Sequence, residues 1–80
     1  MNIVISTQLN KRLREIKMRD KLALFQINHQ HPSLRTHKLT GNLKNIWSIS
    51  VDTHTRMLYV LDDEGAYFFD IGTHDEVYRK

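Results

Sequence analysis

The chain contains no cysteine, one proline and three glycines in 80 residues. Without cysteine, neither a disulfide nor a thiolate metal site can staple the fold. His29 and His31 have a metal-compatible spacing but no further ligand set, and Asp62-Asp63-Glu64 reads as a solvated hairpin tip, so neither a metal nor a cofactor is expected. The sequence has no glycine-rich phosphate loop, nucleophile elbow, linker, repeat or low-complexity run. No apolar stretch approaches the roughly 20 residues of a membrane helix. Met1-Asn2-Ile3-Val4-Ile5 also lacks the charged start and long apolar core of a signal peptide, so a cytoplasmic protein with no membrane partner is expected. A chain of this length buries only about 60% of its unfolded surface, enough for one small domain spanning residues 1–80.

Acidic residues are scarce in the first half. Residues 1–44 carry nine Lys/Arg against two acids, net +7, and residues 45–80 carry three against seven, net −4, which together give the chain's +3. A surface polarised in this way attracts a polyanion by counterion release, a salt-dependent effect that needs no sequence recognition. The Lys11 to Lys21 cluster taken alone reads equally as the solvated face of a helix.

Asn2 to Ser6 is rich in Ile and Val, as a short strand would be. Ser6 or Thr7 can cap a first helix whose apolar face is Leu9, Leu13 and Ile16. Asp20 is expected to cap a second helix, with Leu22, Leu24, Phe25 and Ile27 turned to a sheet until Pro32 closes the segment. A short strand is expected near His37 to Leu39. Beyond it Trp47, Ile49 and Val51 alternate with Ser48, Ser50 and Asp52, placing the apolar set on one face of a strand and leaving the other face polar. Arg56 to Leu61 and Ala66 to Ile71 follow as strands, joined by Asp62-Asp63-Glu64-Gly65 with glycine where positive φ is needed. The expected fold is α+β, a small twisted and mainly antiparallel sheet of four or five strands with two short N-terminal helices packed on one face.

RNA carries its own nucleophile, the 2′-hydroxyl, so cleaving it requires a base, an acid and one or two cations, with no need for a metal. Two basic or histidine-bearing stretches offer these groups, Arg35-Thr36-His37-Lys38-Leu39 and Ile71-Gly72-Thr73-His74-Asp75-Glu76-Val77-Tyr78. His37 lies between two cations, which disfavour a further positive charge and keep its ring able to accept a proton. Arg35, Lys38 and Lys44 suit a phosphate backbone. His74 follows a Gly-Thr pair at the end of an apolar strand, where a side chain can face a cleft. Tyr78, four residues on, can stack on a base or orient a phosphate. Arg56 opens an apolar strand, a costly place for a charge unless its planar head reaches solvent or an anion such as a phosphoryl group. Each residue also has a plain structural alternative: a histidine hydrogen-bonded in a turn for His74, a basic surface loop for His37, and closure of the core edge for Tyr78.

From His31 to Tyr78 the run HPSLRTHKLTGNLKNIWSISVD, the turn to Arg56 and the segment IGTHDEVY resemble the RelE/ParE superfamily of bacterial toxins, and most of all its YafQ-like branch. The resemblance implies a RelE-like fold and a metal-independent mRNA interferase, the toxin of a type II toxin–antitoxin pair. It further implies an antitoxin partner, mRNA and the 70S ribosome as target, and DNA contact only through the toxin–antitoxin complex. By the same resemblance His74 matches the histidine of the GTH motif, implicated as proton donor, and Tyr78 the C-terminal aromatic. His37 matches the histidine ahead of the Leu-x-Gly segment, and Arg56 the strand arginine. The chain departs from YafQ-like toxins where Ser50 replaces a strand histidine and His54 replaces a turn aspartate; His54 either takes over one of those roles or serves only the turn. Its helical part is also shorter than the usual long helix pair. Two alternatives remain: a ParE-like toxin that inhibits a topoisomerase without cutting RNA, and an inactive relic that only binds its antitoxin.

Overall fold

The computed structural model describes residues 1–12, 16–39 and 45–73. Strand β1 (Ile3–Ile5) leads into helix α1 (Thr7–Arg12), then α2 (Ile16–Ile27), a 3-10 turn (Pro32–Leu34), β2 (His37–Lys38), β3 (Ile46–Ser50), β4 (Thr55–Asp62) and β5 (Gly65–Thr73). The five strands form one sheet in the order β1-β5-β4-β3-β2. Neighbours are antiparallel except β1, which runs parallel to β5 with Ile3 opposite Ala66. The α+β class, the two helices and the mainly antiparallel sheet match the sequence reading.

Local chemistry explains the element ends. Ser6 caps α1, its Oγ accepting from the Leu9 amide at 3.1 Å and its carbonyl from Asn10 at 2.8 Å. The β4–β5 turn is closed by Asp62 Oδ1, which accepts from Glu64 N and Gly65 N at 2.8 and 3.0 Å. Gly65 has φ +141°, and a Cβ there would stand 2.1 Å from the Asn2 carbonyl oxygen, so only glycine fits. Two expectations are corrected in α2. The helix begins at Ile16, leaving Asp20 inside it, because Lys17, Met18 and Arg19 are good helix formers with no breaker among them. Ile27 is 84% exposed, because Met18, Leu22 and Phe25 at helical spacing already define the buried face and Ile27 lies two residues, about 200°, from Phe25. Leu13 and the side chain of Ile16 fall outside the described residues.

The main core lies between the helices and one face of the sheet. Leu9, Leu22, Phe25 and Leu34 pack on Ile49, Val51, Met57, Tyr59, Phe68 and Ile71. Phe25 sits edge-on to Tyr59 and Phe68, with ring centroids 5.0 and 5.1 Å away. Burying each such side chain contributes about 1.5–3 kcal/mol, and each aromatic pair about 0.5–1.5 kcal/mol beyond its area. A second cluster, Leu39 and Leu58 with Ile46 and Phe69 against them, covers part of the opposite face.

Candidate functional site

Side chains alternate across a strand, so strand register divides the candidate residues between two faces. His37 stands opposite Ser48, Ser48 opposite Leu58, and Leu58 opposite Asp70, forming one transverse row on the face away from the helices. Ser50, Arg56 and Gly72 form the next row on the same face. A register shift between Leu58 and Tyr59 increases the local twist beside these rows. Lys38, one residue past His37, pairs with Trp47 on the helix-covered face, and its Nζ lies 5.8 Å from the indole centroid. His37 and Lys38 are both exposed on the edge strand. Both can be reached by a ligand, but from opposite sides of the sheet.

Arg56 is only 8% exposed. The sequence placed its head in solvent or on an anion; the head is buried away from solvent, with its Nε donating to Ser48 Oγ at 2.9 Å and its Nη2 to the carbonyls of Arg35, at 2.5 Å, and Ser48, at 3.3 Å. Several kcal/mol of desolvation are offset only where a buried charge is well hydrogen-bonded, as it is here. Arg35, the accepting residue, is left-handed at φ 45°, ψ 54°, and ends the 3-10 turn with its own N–H on the Pro32 carbonyl. The guanidinium therefore clamps the backbone two residues before His37. Ser48, fully buried, was not singled out in the sequence, and neither was Asp70, whose Oδ1 accepts from the Ile71 amide. An acid inside the apolar run Ala66 to Ile71 was the available sign for Asp70. For Ser48 the sequence showed only a polar alternation that also fits a solvated face.

Ser50 and His54, where the chain departs from the YafQ-like pattern, lie at the end of β3 and in the β3–β4 turn. Ser50 Oγ donates to the Asp52 carbonyl, while Asp52 Oδ1 accepts from His54 N and Thr55 N, each at 2.8 Å. These backbone donors, His54 first, hold the Asp52 carboxyl below the usual aspartate value. The His54 side chain is exposed. His31 caps the 3-10 turn, its Nδ1 accepting from Ser33 N at 3.1 Å and lying 2.9 Å from Ser33 Oγ. Among the described residues no group of three or more His, Asp or Glu could hold a metal ion, and no helix is long and apolar enough to cross a membrane. Lys44, His74 and Tyr78 lie outside the described residues. The last described strand ends with Gly72 and Thr73 opposite Arg56 and Thr55.

No protein-family model and no curated protein matches this chain. Solved structures do. The crystal structure of YafQ from E. coli strain BL21(DE3) superposes with a TM-score of 0.71 at 18% identity, covering 96% of this chain and 97% of that one. The E. coli DinJ-YafQ toxin-antitoxin complex gives 0.69 at 23% identity, with 96% of each chain covered. A YoeB/ParE toxin from Agrobacterium tumefaciens gives 0.68 at 15% identity, covering 92% and 99%. These identities speak to architecture, and the chain accordingly has the fold of the RelE/ParE-like toxins, with YafQ among its structural neighbours.

Proposed function

We propose that this protein is the toxin of a type II toxin–antitoxin pair and that it cuts mRNA without a metal, on the 70S ribosome. The observation that carries the reading is the placement of His37, an exposed imidazole on an edge strand, in one row with Ser48, whose hydroxyl accepts from the Arg56 guanidinium of the next row. The likeness in fold to YafQ supports it, and the DinJ-YafQ toxin-antitoxin complex supports a protein antitoxin as partner. In the proposed reaction His37 takes the proton of the 2′-hydroxyl, whose oxygen attacks the adjacent phosphorus. The bond to the 5′-oxygen breaks, His74 protonates that leaving oxygen, and a 2′,3′-cyclic phosphate and a 5′-hydroxyl result. Arg35, Lys38 and Lys44 hold phosphates of the RNA backbone, Lys38 from the opposite side of the edge strand to His37. Arg56 adds positive charge from beneath and fixes the segment that carries His37. Tyr78 stacks on or orients the substrate.

The test is to induce the chain without an antitoxin and map mRNA 5′ ends in translating cells, with His37→Ala and His74→Ala alongside. Cuts at a fixed codon position that fall by about 10²-fold or more in either variant are expected, the usual scale for losing an acid or base. Growth arrest with intact mRNA and a DNA-damage response would replace the nuclease by a topoisomerase inhibitor. Absence of any arrest would leave only an antitoxin-binding relic.

A further inference from the structure

A cavity of about 460 Å³ opens on the side of β2 away from His37, between the end of α2, the 3-10 turn and the β3–β4 surface. It is well within the roughly 300–1,000 Å³ of small-molecule sites. Trp47, half-buried, and Pro32 give it flat apolar walls, and Arg35 and His31 bring nitrogen donors to it. His31 Nδ1 is already engaged by Ser33 N, so the neutral ring carries its proton on Nε2, a donor suited to a carbonyl oxygen or ring nitrogen. No carboxylate is among the described lining residues. Thr36 Oγ1, buried in the lining, has no partner at full hydrogen-bond geometry, and its weaker interaction with the Tyr59 hydroxyl offsets part of what burial does to that group. A buried hydroxyl so weakly engaged has capacity left for a ligand group.

We infer that this cavity is a nucleotide-binding site, taking a base against Trp47 and its phosphate at Arg35 and Lys38. An aromatic plane flanked by cations and free of acids selects a flat, anionic ligand, and the Lys38 ammonium already stands over that plane. The fold joins the cavity to the cleavage face. Arg35 turns its carbonyl to Arg56 on one side and lines the cavity on the other, and the next residues alternate: Thr36 lines the cavity, His37 faces the cleavage row, and Lys38 returns to Trp47. A strand of RNA crossing this two-residue edge would leave one nucleotide beside His37 and a neighbour in the cavity. The inference rests on the RNA-cutting reading for its substrate, but its readout needs no cleavage.

Trp47 is the only tryptophan. Its fluorescence is followed in the full chain while the four nucleoside 5′-monophosphates, or a short single-stranded RNA with 2′-O-methyl groups that cannot be cut, are added. Saturable quenching that weakens with salt is expected. Arg35→Met should weaken it about tenfold or more, through one lost charge-assisted contact. Thr36→Val should weaken it several-fold while moving the midpoint of thermal unfolding by no more than about 3 °C, since the hydroxyl makes no hydrogen bond of full geometry within the protein. Binding at least tenfold tighter to the oligonucleotide assigns the site to a base within RNA, and equal binding assigns it to a free nucleotide. No saturable quenching by either probe, quenching untouched in both folded variants, or quenching only by an antitoxin would overturn the site. Cleavage without nucleotide binding defeats this inference alone; binding without cleavage defeats the nuclease alone.

Discussion

Replacing Arg56 by methionine keeps most of the aliphatic stem and removes the clamp. The hydrogen bonds to Ser48 Oγ and to the Arg35 carbonyl, at 2.9 and 2.5 Å, are charge-assisted and buried, and a third, to the Ser48 carbonyl, is longer at 3.3 Å. Two such bonds contribute about 3–6 kcal/mol before the cost of burying the guanidinium, which the substitution gives back. Because Ser48 is fully buried, its hydroxyl is left without this donor, and a net loss of about 2–3 kcal/mol is expected. A domain of this size has about 4–12 kcal/mol in total. With a urea dependence of about 1 kcal/mol per molar, the unfolding midpoint, read from Trp47 fluorescence, should fall by about 2–3 M. Ser48→Ala alone should lose about 1–2 kcal/mol, and the double variant should reveal a coupling above about 1 kcal/mol. A midpoint change under about 0.5 M for Arg56→Met, or coupling near zero, would refute the clamp.

Gly65→Ala should lower the thermal midpoint by at least about 10 °C, since its Cβ would stand 2.1 Å from the Asn2 carbonyl oxygen at φ +141°; a drop under about 3 °C would mean that this turn is not where β1 is held to β5. Burial pushes the Tyr59 hydroxyl up from 10.0 to about 12, with Thr36 partly offsetting it. The folded state therefore holds this proton more tightly than the unfolded one. The associated stability is complete below about pH 10 and is lost as pH rises from there through about 12, where tyrosinate absorbance should rise late. Tyr59→Phe should remove that late step, and an unchanged titration would place Tyr59 in a wetter environment than the fold gives it.

Periodicity and turn chemistry made most of this fold legible in the sequence, because they act within a few residues. The alternation Trp47, Ile49, Val51 sets the helix-covered face of β3, and Asp62 to Gly65 closes a hairpin with its own carboxylate and glycine. The start of α2 and the exposure of Ile27 were misread for a local reason: Asp20 is an acceptable cap, but nothing before it stops a helix, and apolar residues beyond Phe25 exceed what one face can bury. The candidate site was legible residue by residue but not as an arrangement. Arg35, His37 and Lys38 are adjacent in the chain, and the sequence read them as one basic patch. The edge strand parts them, sending His37 to the row of Ser48 and Lys38 to Trp47. Ser48 illustrates the limit most clearly: its alternation with Trp47 and Ile49 fits a solvated face, yet it is fully buried because Leu39, Leu58, Ile46 and Phe69 build a second cluster on that face. A polar residue then becomes the buried acceptor that a charge on the neighbouring strand needs. Arg56 and Ser48 support one another, since the serine hydroxyl accepts from the buried guanidinium and that bond offsets part of what burying the charge costs.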